Sequence, residues 1–388
     1  MPTPSPDPAD GRAVDAEVAR VALGPSEQTA TRWAALRARH SPDALDDGRV
    51  YPLLPLVGEA LTTAGVADPD LGRMRGLRRH TFVTQQLLLA DLIGALDVLE
   101  EVGARALLLG GVPLALLHYP DPSLRPTAEA EVLVSVDAVD AVVGALERAG
   151  WVRSGGGGGG ARPARDLTRR LSSLRFVAPD ERCTLVLHWR LVPWLAGTAD
   201  EAGDSQLWDA ARPCPIDGRA ALAASPDDLL LRVVTRAYRL GWATEPRWVA
   251  DVAMVVRGGV GSGDDFDWDR LLARVQRGGL VAPVRDALAW VTELVDVAVP
   301  ASVTATLAVA RDSRGAARRY AAGCRAMVGE HRLIPGRDLV VEWHRQTFNL
   351  DAGARARRVV PYVLGRTGAD HLWSVPSTVA RRRWRGHA

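Results

Sequence analysis

The chain has 388 residues, 47% hydrophobic and 24% charged, which is enough apolar mass for a sizeable core without metal or disulfide staples. Its formal net charge of +2 selects no partner, and all 48 basic residues are arginine, an abundance that GC-rich coding bias produces without any pressure to bind nucleic acid. Cys183, Cys214 and Cys324 are odd in number and far apart, which excludes a disulfide framework and a cysteine zinc site.

Residues 1–12 are rich in Pro and Asp and read as a disordered leader; they lack the basic start and apolar run of a secretory signal, so the expected location is the cytoplasm. Helical spacing over Ala13–Arg39 and Tyr51–Thr63 predicts an N-terminal helical cap. It continues into an amphipathic helix over Arg79–Val102 with Val83, Leu87, Leu88, Leu92, Leu96 and Leu99 on one face. Ala104–Leu109, ended by Gly110-Gly111, and Glu131–Ser135, followed by a helix over Val136–Ala149, change the texture to strand, turn and helix. The run Gly155–Gly160 predicts a flexible surface loop, and it is no P-loop, because that motif needs a lysine and the chain has none.

Leu174–Val177 and Cys183–Trp189 predict paired strands that complete a small mixed sheet. From Ser225-Pro226-Asp227-Asp228, an N-cap followed by proline and first-turn acids, the pattern is helical to about Arg345. Trp242, Trp248, Trp268 and Trp290 fall in this region and are expected to pack it. No run reaches the roughly 20 uninterrupted apolar residues of a membrane span, since Ala289–Ala310 is broken by Glu293, Asp296 and Pro300. The tail Arg381-Arg382-Arg383-Trp384-Arg385 reads as a solvated basic terminus, and without aromatics interleaved for base stacking, nucleic acid is disfavoured as a partner. The expected class is α+β: a leader (1–12), an N-terminal helical region (13–84), a core carrying the sheet (85–195), a C-terminal helical domain (196–345) and a basic tail (346–388).

Chemistry concentrates between these elements. Two acids one residue apart on a strand share a face, so Glu129 and Glu131 aim both carboxylates at one place, a geometry suited to a divalent cation. Gly110-Gly111 lets backbone amides approach a phosphate closely. Arg125, before Pro126, reads either as a phosphate contact or as a structural clamp, and His188 as a substrate contact or a hydrogen-bonded core histidine. Asp251 lies four residues after Arg247, where it would position that arginine.

Taken in order, Leu109-Gly110-Gly111, Tyr119-Pro120, Leu124-Arg125-Pro126, Glu129-Ala130-Glu131-Val132-Leu133-Val134, Leu187-His188-Trp189 and Arg247-Trp248 carry a resemblance. From Ala13 to Thr304 the sequence resembles the uncharacterised nucleotidyltransferase family, with its Leu-Lys-Gly turn, Leu-Arg-Pro segment, Asp-x-Asp-x-Leu-Val strand and later Asp-x-His-Trp strand. The resemblance implies a nucleotidyltransferase-like mixed sheet with flanking helices, a nucleoside triphosphate, and Mg2+ held by Glu129 and Glu131 as catalytic and metal-binding residues. Gly110, Gly111, Arg125 and His188 would bind the nucleotide, and the acceptor would be a small molecule or peptide in a biosynthetic pathway. Four departures stand against it: Gly110 replaces the lysine, Glu129 and Glu131 replace aspartates, and Val186 replaces a third carboxylate. The alternative is an inactive relative that keeps the fold as a binding or scaffold protein with a protein partner.

Overall fold

The structure is a computed structural model that describes residues 13–40, 49–154, 168, 171–192, 205–240, 242, 246–259, 266–328, 343 and 352–367. The leader, the six-glycine run and the arginine-rich tail lie outside the described residues. Among the described residues the class is α+β, as expected. Strands β1 (Leu107–Leu109), β2 (Ala130–Leu133), β3 (Val152–Ser154), β4 (Ser173–Val177), β5 (Thr184–His188), β6 (Arg212–Pro213) and β7 (Leu222–Ala223) form one sheet. Its order is β3-β4-β5-β2-β1-β7-β6. The β2/β5 and β1/β7 pairs are parallel and the others antiparallel. Strands β3, β6 and β7 escape sequence reading because two or three residues are too few to show a period.

Alternation along the central strands explains the layering. Leu108, Val132, Leu185, Leu187, Leu174 and Phe176 turn to one face, where they pack with the helices Leu71–Glu101 and Val139–Arg148. Leu107, Leu109 and Leu133 turn to the other face and join a larger core. That core unites the N-terminal helices α1 (Ala13–Leu23), α2 (Ser26–Arg39) and α3 (Leu54–Thr63) with the helices beyond Ser225. The helices that bear on the site are α4 (Leu71–Glu101), α5 (Gly111–His118), α6 (Val139–Arg148), α7 (Ser205–Asp209), α8 (Pro226–Leu240), α9 (Arg247–Gly259), α10 (Trp268–Gly278) and α11 (Val281–Val295).

The expectations for the long helix are corrected. The long amphipathic helix begins at Leu71 instead of Arg79, and Val83 (55% exposed) and Leu87 (39%) lie off its buried face, which runs through Leu88, Leu92, Leu96 and Leu99. Upstream the buried stripe continues through Gln85 and Thr81, three and seven residues before Leu88, and Val83 and Leu87 stand off that stripe. By length and composition alone α4 also meets the requirement for a membrane span that the uninterrupted-run criterion denied it, although its Leu88–Leu99 face is spent on the sheet. The first-turn acids Asp227 and Asp228 of α8 are buried. Arg270 reaches both, its Nη2 lying 2.6 Å from Asp228 Oδ2, and Arg274 Nη1 is 2.9 Å from Asp228 Oδ1. Because buried carboxylates are tolerated only when paired, this network docks the start of α8 onto α10 and so sets where the rest of α8 crosses the sheet.

The tryptophans pack as the composition of this region suggested. Trp242 and Trp248 lie 4.9 Å apart between ring centroids, and Trp248 stacks on Trp290 of α11 at 5.1 Å.

Candidate anion-binding cleft

The site lies on the sheet face that α4 and α6 leave free. Register places Glu131 beside Val186 in the parallel β2/β5 pair, and Val186 beside Arg175 in the antiparallel β4/β5 pair. His188, two residues beyond Val186, points the same way. Glu129, just before β2, shares the orientation of Glu131, since Arg236 faces both, at 3.4 and 3.8 Å. Over this face runs α8, whose Arg232, Arg236 and Arg239 recur at i, i+4 and i+7 and so project from one side of the helix. Between sheet and helix lie two adjoining clefts of about 280 and 210 Å³ that share Glu129, Glu131, Arg175, Arg232 and Arg236.

Glu131 is buried and in contact with Arg232 Nη2. The same Nη2 is 2.9 Å from His188 Nε2, and Arg232 Nη1 donates to the Leu191 carbonyl at 2.7 Å. Burial by itself would raise the Glu131 carboxyl, but the Arg232 charge, the adjacent His188 and Arg236 together hold it well below the ordinary carboxylate range. Burial, and then the Arg232 charge, push the His188 imidazole down to about 4. At neutral pH the ring is therefore uncharged. Its Nε2 faces both the Arg232 guanidinium, at 2.9 Å, and the Glu131 carboxylate, at 3.2 Å, and Nδ1 has no hydrogen-bond partner among the described residues. Glu129 is engaged by Arg175 at 2.7 Å and by Arg236.

His188 makes a pH prediction with a definite sign. Unfolded, the ring takes up a proton near its ordinary value of 6.5, whereas folded it does so only near 4. Between those values the unfolded chain binds more protons, so stability falls as pH drops from 6.5 towards 4, by up to about 1.4 kcal/mol per unit from this group. Urea unfolding at several pH values should show a shallower acid loss in His188→Asn than in the wild type; identical slopes would contradict the assigned neutral ring.

Gly110 takes φ +62°, a backbone conformation that side chains disfavour, and a Cβ built on it would collide with the Glu131 carboxylate. The Glu131 carboxylate thus fills the space that a side chain at residue 110 would need. At Gly111 a Cβ would come within 2.6 Å of both Arg125 Nη1 and Thr127 Cγ2. Gly110→Ala should cost roughly 1–3 kcal/mol in chemical denaturation. Gly94→Ala on α4, where a Cβ meets nothing within 4 Å, should be neutral or mildly stabilising and serves as the control.

Arg125 lines the cleft while its Nε and Nη2 grip Asp251 Oδ1 and Oδ2, each at 2.8 Å, with both residues buried. Tyr119 donates to the same Asp251 Oδ1 at 2.7 Å, and Arg125 Nη1 donates to Thr127 Oγ1 at 3.0 Å. Asp251 is therefore held chiefly by Arg125 from the Leu-Arg-Pro segment, while Arg247, the partner expected from helical spacing, contributes its charge more weakly. Arg247 Nη1 also donates to the Pro126 carbonyl at 2.6 Å. Burial raises the Asp251 carboxyl, and the Arg125 charge and hydrogen bonds more than reverse this, leaving it below its usual value.

These residues are a poor donor set for the divalent ion that the resemblance implied. Both Glu129 oxygens and both Glu131 oxygens face guanidinium groups, and Val186 offers no ligand. No cluster of three or more His, Cys, Asp or Glu able to hold a metal occurs among the described residues. Magnesium needs near-octahedral oxygen ligands at about 2.1 Å, and an arginine already seated on the better-buried carboxylate opposes it. The residues present do not fit the ion.

Reading the sequence brought out Glu129, Glu131, Gly110, Gly111, Arg125 and His188, all of which line these clefts. It passed over Arg175, Arg232, Arg236 and Arg239. The signal was present as three arginines at i, i+4 and i+7 in the helix after Ser225, but arginine abundance masked it. A comparison with curated proteins found no match. Residues 48–296, well over half of the chain, match the family described as uncharacterised nucleotidyltransferase, and it is to this family that the chain belongs.

Proposed function

We propose that the chain binds a phosphorylated small molecule in the cleft between the sheet and α8, a nucleoside triphosphate being the ligand class its family implies, and that it acts as a binding member of the family without magnesium-dependent transfer. The observation that carries this reading is the buried pair of Glu131 with Arg232, which spends on the protein's own cation the carboxylate that transfer chemistry would need. The charge balance agrees: six arginines and three carboxylates line the two clefts. Leu114, Leu240 and Trp248 supply an apolar wall for the body of such a ligand, and the cationic floor takes its phosphates.

The second reading keeps catalysis, with a nucleotidyl group passing to a small-molecule or peptide acceptor. The shared orientation of Glu129 and Glu131 favours it, and it requires Mg2+ to displace the arginines. Calorimetric titration with each nucleoside triphosphate and with inorganic triphosphate, with and without Mg2+, separates the two. The binding reading expects affinity without the ion and a loss of roughly tenfold in Arg236→Ala, about one charge-assisted contact. Binding only with Mg2+, abolished in Glu129→Ala, would establish the catalytic reading, and no binding to any triphosphate would remove both.

A further inference from the structure

We infer that Arg232 is a built-in counter-cation that stands on Glu131 in place of a divalent metal ion, so that the cleft receives an anionic group on guanidinium groups alone. Glu131 lies against Gly110, where any Cβ would strike its carboxylate, so this acid and a side chain at residue 110 exclude each other. Val186, directly beside Glu131 in the β2/β5 register, supplies no oxygen, and the buried carboxylate needs a cation from elsewhere. Arg232 supplies it from α8, with Nη1 anchored on the Leu191 carbonyl at 2.7 Å and Nη2 shared between Glu131 and His188 Nε2. A divalent ion on Glu131 would have to expel that guanidinium, leaving Leu191 without its donor and a buried positive charge without its partner.

At the open side of the cleft, Arg236 and Arg175 are 44% and 51% exposed, and both rest on Glu129. An incoming phosphate can exchange with Glu129 there while Glu131 and Arg232 stay paired beneath it. This second half rests on the anion-binding reading; the first half, about the metal, does not.

Manganous ion tests the first half with no ligand present. Electron paramagnetic resonance of the full-length wild type should leave the free Mn2+ signal undiminished up to roughly millimolar ion. The double variant V186D/R232M, which exchanges the arginine for a third carboxylate, should take up one Mn2+ per chain and lose it on further E131Q. Uptake by the wild type that disappears in E131Q overturns the inference. So does a V186D/R232M chain that is folded by circular dichroism yet leaves Mn2+ free, and if that variant does not fold, the wild-type result decides alone. For the second half, inorganic triphosphate should bind in EDTA at least as tightly as with Mg2+, and an affinity raised about tenfold or more by the ion overturns it. Absence of triphosphate binding in every condition removes the anion-binding reading and leaves the manganese result standing.

Discussion

Arg232→Met is expected to cost about 3–5 kcal/mol of folding stability, since removing one member of a buried pair strands the other. Arg232 is 7% exposed and Glu131 5%, so water cannot replace the lost partner without the cleft opening. The Leu191 carbonyl also loses its donor. Adding Glu131→Gln to this background removes the stranded charge and should return part of the loss, giving a coupling of more than about 1 kcal/mol in a double-mutant cycle of urea unfolding. A single-variant cost below that figure would mean that the pair is solvated and contributes little. Arg236→Ala, on the same helix face but 44% exposed, should cost well under 1 kcal/mol, because solvent screens such pairs. The contrast separates the structural arginine from the one offered to ligand.

Asp251→Ala should be comparably damaging, about 3–5 kcal/mol, for a different reason. This carboxylate collects two bonds from Arg125 and one from Tyr119, tying the Leu-Arg-Pro segment and the loop after α5 to α9. Without it, a buried guanidinium and a buried phenol lose their acceptor together. Asp251→Asn keeps the shape and one acceptor oxygen and should recover part of the loss. Thermal unfolding of the two variants beside the wild type would show this order, and equal midpoints for wild type and Asp251→Ala would reduce the clamp to a bystander. Since Arg125 lines the cleft, Asp251→Ala should also weaken triphosphate binding even in the fraction that remains folded.

Much of the fold was legible because its signals are local. Short apolar runs bounded by turn signals marked the central strands, and the order Gly-Gly, Leu-Arg-Pro and Glu-x-Glu carried the family resemblance. The acidic pair was placed on one face from spacing alone, and the structure keeps it there. Strands β3, β6 and β7 were too short to show a period, and α4 runs a further eight residues upstream, where Gly72 and Gly76 interrupt the pattern around the buried Leu71 and Met74. The partners of each functional side chain were not legible, because they arrive from distant segments. Arg232 meets Glu131 across 101 residues of chain, and Arg125 meets Asp251 across 126.

The sequence by itself determined which side chains share a face, since the two-residue period of a strand and the 3.6-residue period of a helix follow from backbone geometry. Through the resemblance it also implied that Gly110, Glu129, Glu131 and Val186 stand where the family pattern has a lysine and three aspartates. Only the tertiary structure decided what those changes amount to. Spacing can bring two carboxylates together, but whether the space above them holds a metal ion or a guanidinium depends on where α8 crosses the sheet. That crossing is set by the buried pairing of Asp227 and Asp228 with Arg270 and Arg274, a long-range ion network with no local periodicity to announce it.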